Sequence, residues 1–119
     1  GEREGEDALL AELTRLEAAV HGLGSGIQSA LAELEQIDFD DVEAEEAVDS
    51  IGRAAAGLSS ETGGLQARMD AIDLSHLAAD SQRSVRARRK AVSATLEAEV
   101  VTALSSLSSR LALARQAVS

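Results

Sequence analysis

Leu9, Leu13, Leu16, Val20, Leu23, Ile27, Ala30, Leu34 and Ile37 follow one another at alternating steps of four and three. Such steps return to one side of an α-helix, and a sustained run of them makes a coiled-coil seam. The alternation passes through Gly22, Gly24 and Gly26 without losing phase. A loop at the glycines would break the phase. The spacing therefore predicts one helix over residues 7–37, weakened at each glycine by about 1 kcal/mol relative to Ala.

The alternation resumes at Ala44, Val48, Ile51, Ala55, Leu58, Thr62, Leu65, Met69 and Ile72, and predicts a second helix over residues 41–72. A third segment begins at Leu77 and continues through Val85, Val92, Leu96, Val100, Ala103, Leu107, Leu111, Ala114 and Val118. From Val92 its steps run four, four, three, an eleven-residue period that belongs to a nearly straight helix. The predicted span is 76–118.

Two Ile-Asp steps, at Ile37 and Ile72, close the first and second seams. In each the Ile ends an apolar run and the polar residues after it suit a helix start. Asp40 with Glu43 fits a capping box for the second helix, and Asp73 or Ser75 fits the N-cap of the third. A reversal at residues 38–40 sets Leu13 opposite Leu65, Leu16 opposite Thr62 and Leu23 opposite Ala55. It also levels Gly26 with Gly52 and Gly22 with Gly57, where two helices could approach closely.

The expected architecture is all-α: an antiparallel up-down-up bundle of three long helices with coiled-coil-like heptad packing. Leu13, Leu16, Leu58 and Leu65 are expected in its core. Residues 1–119 are expected to form one domain, a piece of a larger chain. Residues 111–119 are expected to overhang the other two helices, leaving Leu111, Ala114 and Val118 as an exposed apolar stripe for another chain.

Composition agrees with thin helical packing. Hydrophobic residues make up 45% of the chain, yet there is one Phe and no Trp or Tyr. Sandwiches and doubly wound sheets draw on aromatic and β-branched residues that this chain does not have in quantity. Proline and cysteine are absent, so no disulfide forms and the redox compartment stays open. No apolar run reaches the length of a bilayer span, and insertion of this segment into a membrane is not expected.

The net charge of −10 is unevenly spread. Residues 1–50 carry fifteen acids and two bases, whereas residues 51–119 carry six acids and nine bases. So acidic a chain repels nucleic acid, which is excluded as a partner. The local exception is "RSVRARRK", residues 83–90, with Arg83, Arg86, Arg88, Arg89 and Lys90. In an up-down-up bundle this stretch lies beside the acidic "GEREGED" at the amino terminus. Arg88 or Arg89 is then expected to reach Glu17 or Glu61 with its stem over the core. Whatever remains of the basic stretch is a candidate contact for an acidic partner or a second copy.

No constellation for catalysis stands out. His21 and His76 lie far apart in sequence without further ligands at metal spacing, and read as solvated side chains. "DFDDVEAEE" lacks the central glycine of a calcium loop. "GLGSG" lacks the Lys-Ser/Thr ending and the preceding strand of a phosphate loop. No cofactor is expected, and the chain is not expected to be an enzyme.

Three helices of this length are similar to spectrin-type repeats, which carry a Trp in the first helix that this chain lacks. The first two resemble the secreted hairpins of type VII secretion, with Asp38-Phe39-Asp40 where those have Trp-x-Gly. Four-helix extracytoplasmic sensor domains are similar in length and pattern. None shares a specific motif, so no family is assigned. The expected function is a non-catalytic structural or scaffold module working through protein–protein interaction or self-association of its helices. The alternative is an extracytoplasmic sensory or secreted helical domain.

Overall fold

A computed structural model describes residues 2–119, with side chains from Glu4 onward. The chain is all-helical, and no strand occurs among the described residues. Helix α1 runs over Glu2–Glu35 and α2 over Ala44–Asp70. The third helix is built from α3 (Ala79–Leu96), a π-helical turn (Glu97–Val101) and α4 (Thr102–Val118). The Cα positions extend 63 × 17 × 16 Å, a rod whose length the third helix sets.

The three seams meet in one continuous core. Leu13, Leu16, Val20, Ile27, Val48, Val85, Val92, Val100 and Leu107 are fully buried in it. Helix α1 is unbroken through its glycines, as the uninterrupted heptad requires. Leu58 departs from the expected core set, being only partly buried at the rim.

Side-chain contacts give the helices their register. Arg68 of α2 meets Glu12 of α1, and Leu58 packs over Gly26. On the other flank Ser81 meets Glu6, Arg88 meets Glu17 and Arg110 meets Glu35. The expected glycine pairs do not face each other. Gly26 takes Leu58 and Gly52 takes Arg115, while a methyl group at Gly22 or Gly57 would meet nothing within 4 Å.

The first connection is longer than a turn at residues 38–40. It occupies residues 36–43, where Asp38 accepts from the Asp40 N–H at 3.0 Å and Asp41 from the Glu43 N–H at 3.0 Å. These local side-chain bonds compete with helix and delay α2 to Ala44. The Asp40–Glu43 capping box therefore does not form, and Glu43 stands at the N-cap without a side-chain cap bond. At the second connection Asp73 accepts from the Ser75 N–H at 2.9 Å, which shapes a turn and caps no helix. Helix α3 starts at Ala79, after an extended Ala78.

The expected overhang is absent, and both connections are longer than expected, with α2 starting at Ala44 and α3 at Ala79. Phe39 of the connection shares a groove with Leu113 and Ala117 of α4, and Gly52 of α2 lies against Arg115. Leu111 and Ala114 are buried, and Val118 is partly buried against the core. None of the three forms an exposed stripe.

The π turn is the second departure from expectation. The Thr102 N–H and its Oγ1 both donate to the Glu97 carbonyl, Oγ1 at 3.0 Å, which is the five-residue spacing of a π turn. A wider turn suits the four-residue steps Val92–Leu96–Val100, bringing Val100 back to the core face, where it is fully buried.

Candidate functional site: the exposed apolar end and the charged flank

Most large apolar side chains of this protein lie inside it. Among the described residues three are exposed: Phe39 is 42% exposed, Val42 97% and Leu113 66%. Phe39 and Val42 belong to the connection 36–43, and Leu113 lies on the outward side of α4. The sequence separates Phe39 from Leu113 by most of two helices, yet both line one open groove. Leu34, Ala114 and Ala117 complete its apolar wall, and Glu35 and Arg110 close one side. The groove has a volume of about 330 Å³. Arg110 and Glu35 hold each other at 2.6 Å along its edge.

The rim of this end is acidic. Residues 33–46 carry eight acids and no base. Asp38 and Asp41 spend one carboxylate oxygen each on the local backbone, and Asp40, Glu45 and Glu46 are exposed. The surface thus combines an apolar centre with a strongly negative border.

The expected contact residues distribute differently. Leu111 and Ala114 serve the core, with the exposed leucine of that segment being Leu113, two positions out of phase. In the basic stretch, Val85 points inward and the arginines spread around α3. Arg83 lies 3.8 Å from Asp80, and Arg86 donates to Gln82 at 3.2 Å. Arg88 donates to Glu17 at 2.8 Å, and the hydrogen bond holds the Glu17 carboxyl below its ordinary pKa and the Arg88 guanidinium above its own. Arg89 and Lys90 have no ion-pair partner among the described residues. The pairing with "GEREGED" lies partly outside the described residues; within them, Ser81 Oγ donates to Glu6 at 2.9 Å.

Across the other flank Glu12 accepts from Arg68 at 2.7 Å and from Arg15 at 2.8 Å, and these two bonds, Arg68's first, hold its carboxyl below the ordinary value. Asp73 is held low as well, chiefly by the Ser75 N–H.

A second concavity runs between α1 and the π turn. His21 Nδ1 lies 2.7 Å from Glu99, and the backbone of the π turn comes close to Gly24. Ser25, Gln28 and Thr102 share the walls. The sequence suggested a solvated His21, and the ring is indeed about half exposed, but it is paired. Both members of the pair are open to water. Among the described residues no group of three His, Cys, Asp or Glu side chains is placed to hold a metal ion. No helix among them is long and apolar enough to cross a membrane.

No family model, no curated protein and no solved structure matches the chain.

Proposed function

We propose that the chain is a non-catalytic structural and protein-interaction module of a larger protein. In this reading its helices form an up-down-up antiparallel bundle, a stiff spacer that presents the apolar end formed by Phe39, Val42 and Leu113 to a partner. The carrying observation is the exposure of Phe39 and Leu113 on one groove, with Val42 exposed in the same connection as Phe39, while the other large apolar side chains among the described residues are buried or partly buried. Exposed apolar surface concentrated at one place is costly in water and marks contact sites. The register of contacts, Glu12 with Arg68 and Glu17 with Arg88, supports the topology.

Site-specific photo-crosslinking tests this reading. A photoreactive residue at Val42 is expected to capture a specific protein that the same residue at Ser60, exposed on α2, does not. Purified, that protein is expected to bind the wild-type chain and to lose affinity for Phe39→Ser/Leu113→Ser. Equal capture at both positions, or binding indifferent to the double substitution, contradicts the reading.

A further inference from the structure

The nature of the partner follows from the rim. We infer that the apolar end docks a basic amphipathic segment of another protein: a stretch with one or two large apolar anchors flanked by lysine or arginine. This rests on the proposed interaction role and adds the chemistry of what is bound.

The argument is one of complementarity. The groove beside Phe39 and Leu113 is open along its length, so it suits inserted side chains more than an enclosed small molecule. An anchor placed there brings its neighbours over the connection 36–43 and the first turn of α2. That surface holds Asp40, Glu43, Glu45 and Glu46, all exposed. A neutral or acidic segment would lose hydration of these carboxylates without return, whereas cations flanking the anchor are attracted to them and steered in. Of the two bases on α4 at this end, Arg110 is held by Glu35, and Arg115 lies against Gly52 of α2.

A second copy of the chain fits less well. Each copy carries −10 and the same acidic end, so two such ends repel. The one basic stretch a copy could offer is partly occupied, with Arg88 held by Glu17.

The probe is a helix-forming peptide of about 15 residues, leucine along one face and lysine elsewhere. A second peptide has glutamate in place of lysine. Binding is followed by fluorescence anisotropy at low and at physiological salt. The lysine peptide is expected to bind and the glutamate peptide not to. Phe39→Ser/Leu113→Ser, with every acid retained, is expected to weaken binding about tenfold or more. Asp40→Asn/Glu43→Gln/Glu46→Gln, with the groove intact, is expected to do the same and to flatten the salt dependence. Circular dichroism confirms that both variants stay helical, and Gln66→Ala, exposed near the opposite end of α2, is a control expected to bind normally.

Absence of binding to the lysine peptide at low salt overturns the proposal. So does binding unaffected by Phe39→Ser/Leu113→Ser, which would mean diffuse charge attraction. If the apolar substitutions abolish binding but the charge substitutions and salt do nothing, the basic character falls while the docking surface stands. If the chain alone shows concentration-dependent mass that Phe39→Ser abolishes, the occupant is a second copy and the proposal is overturned.

Discussion

Arg88 on α3 donates a hydrogen bond to Glu17 on α1 across 2.8 Å, linking two residues 71 positions apart. Both side chains are about two-thirds covered by their neighbours. The pair sits where the apolar seam of the third helix skips from Val85 to Val92, both fully buried, and is a candidate for holding the register of the two helices.

A charge exchange measures that role. Glu17→Arg and Arg88→Glu are each expected to lower the urea midpoint, and the double variant to recover part of the loss. Zero coupling in the double-mutant cycle would show that the pair carries no register information.

Acid should weaken the fold through the same groups. Glu12, Glu17 and Asp73 all have pKa values lowered in the folded state. A carboxyl that is more acidic when folded contributes stability at pH above its unfolded value, roughly 4, and loses it as pH falls through the folded value. Thermal midpoints should therefore drop between about pH 5 and pH 2. Repulsion within residues 33–46 is relieved over the same range, so the comparison must be with Glu17→Gln. That variant is expected to be less stable at pH 7 and to show a shallower acid loss. An unchanged acid slope would mean that the Arg88 bond does not persist in solution.

The core is expected to respond by depth. Leu13→Ala and Leu16→Ala remove fully buried side chains and should each cost about 2–5 kcal/mol. Leu58→Ala, at the rim, should cost about half of that or less. Equilibrium unfolding that ranks Leu58 with Leu13 would contradict the register.

Glycines within α1 offer the opposite change. A methyl at Gly22 meets nothing within 4 Å, so Gly22→Ala should stabilise by about 0.5–1 kcal/mol. At Gly26 the methyl would stand 3.1 Å from Leu58 Cδ2, the end of a flexible side chain that must move aside, and the gain should be smaller. A larger gain at Gly26 than at Gly22 would show that α2 lies elsewhere.

Much of this fold is legible in the sequence because the seam residues obey one period. Leu13, Leu16, Val20, Leu23, Ile27, Ala30 and Leu34 are all buried, as alternate steps of four and three require. What escaped the pattern has local or long-range causes. The connection 36–43 holds Ile37, the last residue of the first seam, near its start, and the Asp38 and Asp41 backbone bonds carry it past residue 40. The π turn is silent because its four-residue steps also suit a straight α-helix. Leu113 lies off the seam, and nothing in the sequence brings Phe39 beside it. The His21–Glu99 pair likewise joins positions 78 apart that no motif connects.

The central claim is that the acidic apolar end is the working surface and the rest of the rod its support. Backbone amide shifts of the isotopically labelled chain, recorded while the lysine–leucine peptide is added, test it most directly. The account predicts that the largest changes cluster at residues 34–46 and 110–118, with residues 83–90 and the His21–Glu99 cleft unmoved. Changes centred on Arg83–Lys90, or spread evenly along the rod, would contradict it.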